Sequence, residues 1–164
     1  MNDFDSVEAI VLGPLEGRSS GEWEQSPSGK WTPAQIVEHL TLGFEWCLKG
    51  FDDRRNRPPM TRRPRTLIER GARVLIFHVG WVPAVGAAKA TIPSSRPDPI
   101  DIERRFRAAA AGLRRLAGEL LPARATNLFV KHPRMGDLTL SEWLRFHAWH
   151  CRHHARQIRA RVTG

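Results

Sequence analysis

The chain has 164 residues, 41% of them hydrophobic, which fits one domain over residues 1–164 with a substantial core. No apolar run reaches the roughly 18–20 residues needed to cross a bilayer, and the opening Met1-Asn2-Asp3-Phe4-Asp5 lacks the basic and apolar regions of a signal peptide, so a soluble, cytoplasmic protein without a membrane partner is expected. The net charge of +9 is mostly arginine, dense only at Arg54, Arg55, Arg57, Arg62, Arg63 and Arg65; with no nucleic-acid motif beside it, a nucleic-acid partner is not expected.

In chain order, Phe4, Val7, Ile10, Val11 and Leu15 recur at helical spacing, so residues 4–18 predict a short first helix. Pro14 and the glycine- and serine-rich run from Gly17 to Gly29 end it. Thr32, Pro33 and Gln35 then form a helix start: a hydroxyl N-cap, a proline at the first position and a glutamine to close a capping box. That second helix should run from Pro33 to about Lys49, stopped by Gly50, with Ile36, Leu40, Phe44 and Leu48 on its apolar face. Residues 51–65, charged and holding Pro58, Pro59 and Pro64, read as a mobile loop.

A third helical segment spans about Thr66–Val79, with Leu67, Val74, Leu75 and Phe77 apolar, and Trp81–Pro97 reads as an irregular connection. Asp98 caps a long helix with Pro99 first, running to about Leu121 on a stripe of Ile102, Phe106, Ala109, Leu113, Leu116 and Leu120. Residues 123–137 read as a loop. Thr139 and Glu142 form a second capping box, with Leu138 placed to staple onto Trp143, and the last helix runs to about Arg161. No strand pattern stands out. Four main helices with long connections predict an all-α helical bundle.

Chemistry concentrates in that last helix, where His147, His150, His153 and His154 are four of the seven histidines. Residues four apart share one helix face, with Cβ atoms about 6 Å apart. His150 and His154 can therefore reach one small ion, since metal–nitrogen bonds are about 2.0–2.1 Å long. His153 is rotated about 100° away. A site needs a third ligand, and the candidates are His39, His78, His132 and His147. His39 is the choice, because it sits mid-helix at the border of an apolar face and packed helices lie about 8–10 Å apart. His132, ahead of Pro133, could close over the opening, and Gln157 could hydrogen-bond a ligand imidazole. Of the two cysteines, Cys47 and Cys151, the second points away from His150 and reads as a small packed side chain; no disulfide is expected.

Two stretches resemble a known family. Trp31-Thr32-Pro33-Ala34-Gln35-Ile36-Val37-Glu38-His39-Leu40 is similar to the opening of the second helix in the DinB/YfiT-like superfamily of metalloenzymes. His132 to Trp143, followed by His150-Cys151-Arg152-His153-His154-Ala155-Arg156-Gln157-Ile158, is similar to that family's closing motif. The middle, residues 50–125, carries no such motif. The resemblance implies a four-helix bundle of up-down-down-up topology, often a homodimer, and a divalent metal held by His39, His150 and His154. It also implies chemistry on a low-molecular-weight thiol such as bacillithiol, mycothiol or glutathione, since characterised relatives include thiol-dependent S-transferases and isomerases.

The expected function is thus a metal-dependent enzyme, a thiol S-transferase or a hydrolase acting on a small electrophile. A non-catalytic metal-binding stress-response module is the alternative, and a basic nucleic-acid binder a more distant one. Zinc or nickel is expected first, then iron or manganese, because imidazole ligands suit several divalent ions. Trp46, Trp143 and Trp149 are candidates for the pocket wall. His147 is a fourth ligand, a proton shuttle or a wall residue.

Overall fold

In the computed structural model, which describes residues 3–79 and 89–162 and omits the side chains of 78 and 79, six α-helices are seen. They are α1 (Val7–Leu12), α2 (Ser20–Glu24), α3 (Pro33–Asp52), α4 (Leu67–Val74), α5 (Pro99–Arg124) and α6 (Leu140–Val162). Their starts follow capping chemistry. Thr32 accepts from Gln35 N while the Gln35 side chain accepts from Thr32 N, at 3.1 and 3.0 Å. Thr139 and Glu142 repeat that exchange ahead of α6, and Thr66 and Glu69 ahead of α4. Asp98 caps α5 through Ile100 N. Each such cap stabilises its helix by about 1 kcal/mol.

The protein is all-α in class. α3 packs chiefly on α5 and α6, and α1 lies across α6 and α5. Their shared interior is apolar: Ile36, Leu40 and Phe44 from α3, Phe106 and Leu113 from α5, and Ile158 from α6 are fully buried. Phe44 stacks on Phe106 with centroids 5.2 Å apart and meets Phe4 at 5.3 Å. Burying side chains of this size is worth about 1.5–3 kcal/mol each. The whole expected α5 stripe, from Ile102 to Leu120, is buried. No helix among the described residues is long and apolar enough to cross a membrane.

Several features depart from the sequence reading. The serine- and glycine-rich run contains α2, because Ser19 and Glu22 form a capping box and Trp23 finds a buried seat. Val130–His132 (β1) and Gly136–Leu138 (β2) pair as an antiparallel hairpin where a loop is expected, with Val130 opposite Leu138 and His132 opposite Gly136. Each strand is three residues long, too short for alternation to register. Gly136 takes a φ of +73°, which a side chain disfavours. The loop at 53–66 is irregular as expected, but it is tied down: Met60 N donates to Asn127 O, and the Arg124 guanidinium donates to Arg55 O. Finally, α4 leaves Leu67, Ile68 and Val74 largely in solvent, and Ile76 and Phe77 just past it are buried. The connection expected at 81–97 is described only from Lys89, where Lys89–Thr91 forms a 3₁₀ turn.

α3 also runs through Gly50 instead of stopping there. The glycine serves packing: a Cβ at position 50 would lie 2.9 Å from Val130 Cγ1 and 3.3 Å from Cγ2. Val130 is buried and β-branched, so it has little room to yield. Gly50→Ala is expected to destabilise the protein by about 1–3 kcal/mol through overpacking, despite the better helix propensity of alanine. In a Val130→Ala background the same change should become neutral or stabilising. Urea melts of the four proteins test this, and a Gly50→Ala penalty that persists without Val130 would refute it.

Candidate metal centre

α6 fixes the spacing of two imidazoles, and α3 brings a third to them. His39, His150 and His154 each present a ring nitrogen, and the three nitrogens lie within 4.8 Å of one another. His150 Nε2 stands 3.0 Å from His154 Nε2 and 3.3 Å from His39 Nε2. Nitrogens sharing a tetrahedral ion at about 2.1 Å would be about 3.4 Å apart, so the cluster has the right scale.

The other ring nitrogens set the tautomers. His39 Nδ1 is 2.7 Å from Thr91 O, a carbonyl that can only accept, so Nδ1 carries the proton. His154 Nδ1 is 2.9 Å from Gln157 Oε1 and donates to it. The Gln157 amide then donates from Nε2 to His153 Nε2 at 3.1 Å. Both His39 and His154 therefore turn bare Nε2 lone pairs toward His150. His150 has one Nε2 proton at most to offer two neighbours. Lone pairs this close repel unless a proton or a cation stands between them, so the donor set fits a divalent ion.

The surroundings favour neutral rings. Burial holds His39 and His150 below the ordinary imidazole value, and the charges of neighbouring imidazoles add to this at His150. Burial, then His39, pushes His154 down to about 3. Neutral imidazoles are the ligating form. Aromatic rings supply the dry walls: Trp31 lies 5.0 Å from the His39 ring, and Phe146 stacks on His150 at 5.1 Å.

Thr91 reaches His39 because the 89–97 segment is strapped to α3. Glu38 accepts from Ser94 N and Oγ at 2.7 and 2.9 Å, and Gln35 donates to Ser94 O and Ser95 O. Sequence reasoning missed this support. Glu38, buried beside His39 on an amphipathic helix, was its one visible signal.

The remaining candidates sort by position. His153 stays outside the cluster, bonded to Gln157. His132 lies in β1, where its Nδ1 accepts from Arg134 N and Met135 N and so closes its own turn. His78, the other candidate ligand, has its side chain outside the described residues. His147 is 1% exposed, boxed by Phe44, Trp143 and Phe146, with neither ring nitrogen hydrogen-bonded among the described residues. Trp143 donates to Val130 O, packs against Trp46 and lies 5.4 Å from the His147 ring, whereas the Trp149 ring carries the Arg152 guanidinium. Cys47 and Cys151 are free and fully buried, and burial pushes both thiols up, so neither offers a thiolate.

The model of one protein family, the DinB superfamily, matches residues 4–158. Neither a curated protein nor a solved structure shows a match to the chain.

Proposed function

We propose, since the chain belongs to the DinB superfamily, that it is a metal-dependent enzyme whose divalent ion is held by His39, His150 and His154. The observation that carries this is the pair of protonated Nδ1 atoms, on His39 and His154, which leaves lone pairs converging on His150. Zinc or nickel is the first candidate, with iron or manganese behind them. When bound there, the ion supplies Lewis acidity that lowers the pKa of a thiol or water and readies it as a nucleophile.

The chain's own residues do the rest. Thr91 O and Gln157 Oε1 hold two rings in register and in the ligating tautomer, as the outer partners of metal-bound histidines do. Three neutral imidazoles add no negative charge, so the ion's acidity is not quenched by its ligands. Phe146 and Trp31 exclude water from one side. The substrate class we assign is a low-molecular-weight thiol and a small electrophile, on a bundle of up-down-down-up topology.

The test is chemical. Purified protein loaded with zinc or nickel should accelerate consumption of a model electrophile by a thiol, and a chelator should abolish the rate reversibly. A loaded protein inert toward every thiol and toward water would reduce it to a metal-binding module. A protein that takes up no divalent ion would end both readings.

We also propose a homodimer. Leu67 and Ile68, 82 and 83% exposed on α4, support it as apolar surface for a second copy to cover. Light scattering should give twice the chain mass, and Ile68→Asp should halve it. A monomeric wild type refutes this.

A further inference from the structure

The densest arginine stretch lies away from the histidines. Arg62, Arg63 and Arg65 from the tied-down loop, Arg70 and Arg73 from α4, and Arg145 from α6 line one cleft of about 500 Å³, floored by Phe77. The volume is that of a small-molecule site. Three separate segments bring these guanidinia together, so their convergence belongs to the fold and not to local sequence.

The acids at hand do not balance them. Glu142 accepts from Arg62 at 2.7 Å, Arg73 at 2.8 Å and Arg65 at 3.3 Å, one carboxylate among three cations. Glu69 pairs with Arg63, and Asp137 lies beside the Arg63 backbone. Six guanidinia thus face three carboxylates, and none of those acids lines the cleft. Glu142 is further held by Thr139 N at the start of α6. The acids act as anchors that set the arginines from behind.

Several donors are left over. Arg65 Nε is buried without a partner among the described residues. Arg70 makes no ion pair among the described residues. Arg73 and Arg145 flank the Phe77 ring, at 5.2 and 4.9 Å from its centroid, and Arg145 is further held by one bond to Phe77 O at 3.2 Å. Burial, then the like charges of Arg73 and Arg62, hold the Arg65 guanidinium below its ordinary value. An assembly that repels itself when empty is relieved by an anion, and planar forks match phosphate oxygens two at a time.

We infer that this cleft binds a small molecule carrying two or more linked phosphates. It is separate from the imidazole triad: Arg145 and His154 are nine positions apart on α6, about half a turn around the helix. The cleft is too small for a duplex, which sets a phosphorylated metabolite above a nucleic acid.

Titration calorimetry of the purified protein at near-physiological salt tests it, with pyrophosphate and ADP as probes. Saturable one-to-one binding is expected. Arg70→Ala, which breaks no ion pair among the described residues, should weaken it at least tenfold without moving the melting temperature. Arg145→Lys, which keeps charge but loses the fork, should also weaken it at least tenfold. ADP binding more tightly than pyrophosphate would assign a nucleotide, and equal affinity a free polyphosphate. No saturation with either probe, unchanged affinity in both variants, or tight oligonucleotide binding that pyrophosphate cannot displace would each overturn the inference. Metal content, read on the same samples, keeps its failure distinct from failure of the metal centre.

Discussion

His150→Ala is expected to strip the divalent ion from the protein, while His153→Ala leaves it largely in place. His150 Nε2 is the shared neighbour of the other two imidazoles, at 3.0 and 3.3 Å. Binding free energies of full zinc sites run to about 10–16 kcal/mol, so losing one ligand of three should cost on the order of 10³-fold in affinity. His153 meets the cluster from outside, bonded to Gln157 and with its ring edge-on to His154 at 5.1 Å, and it offers the ion no nitrogen. Gln157→Ala should fall between the two, at about 10–100-fold, the usual cost of losing the partner that orients a ligand histidine. Elemental analysis of each variant after equilibration with a weak chelator gives the ranking. Equal losses in the 150 and 153 variants, or an ion-free wild type, would defeat the assignment of ligands.

That ranking depends on which features of the site a sequence can carry. His150 and His154 were legible because helical spacing is local: four residues is one turn, and the Thr139–Glu142 box announces the helix. His39 was legible for a similar reason, since the Thr32–Gln35 box fixes the phase of α3 and hence which face its histidine shares. The strap that pins His39 was not. Its acceptor is the Thr91 carbonyl, and every residue has one. Its register comes from Ser94 docking on Glu38 across more than fifty positions. A main-chain contact over that distance leaves no mark in composition or periodicity beyond the one acidic side chain of Glu38 beside His39.

The fold divides the same way. The α5 stripe is buried as its spacing predicts, because an amphipathic period is a statement about one element alone. The stop at Gly50 failed because a glycine has two uses. Its φ freedom suggests an end, but here its missing side chain makes room for Val130, a neighbour eighty residues on. The hairpin failed because two three-residue strands owe their existence to each other and to the positive φ at Gly136. Of the arginines in the 54–65 stretch, which in sequence read as part of a mobile loop, Arg62, Arg63 and Arg65 share a cleft with arginines of α4 and α6, a convergence that no local pattern announces.

The protein should lose stability steeply between about pH 6.5 and 4.5, in a window set by histidines and not by carboxylates. His147 is held down to about 3, by burial first and then by His132 and His39; His132 is held to about 4, by burial and then by Arg134. Both start from an ordinary value of 6.5. As pH falls below that value the unfolded chain takes up protons at these positions, and the folded chain does not. The unfolded state therefore binds more protons, so stability falls with pH until the folded values are reached.

Each histidine contributes about 1.4 kcal/mol per pH unit. These two alone over two units remove roughly 5 kcal/mol, comparable to the whole stability of many domains. In metal-free protein His39, His150, His153 and His154, also held below their ordinary value, act in the same direction. Glu22 and Glu69, held near 2 by Arg18 and Arg63, begin to matter only below their ordinary 4.5, so they do not confuse this window. Urea melts of metal-free protein at pH 7, 6 and 5 measure the slope. His147→Phe, which keeps a flat ring among Phe44, Trp143 and Phe146, should lower the slope by about one proton. A flat profile above pH 4.5, or a slope indifferent to that substitution, would mean that the imidazole at 147 is not kept neutral by its aromatic box.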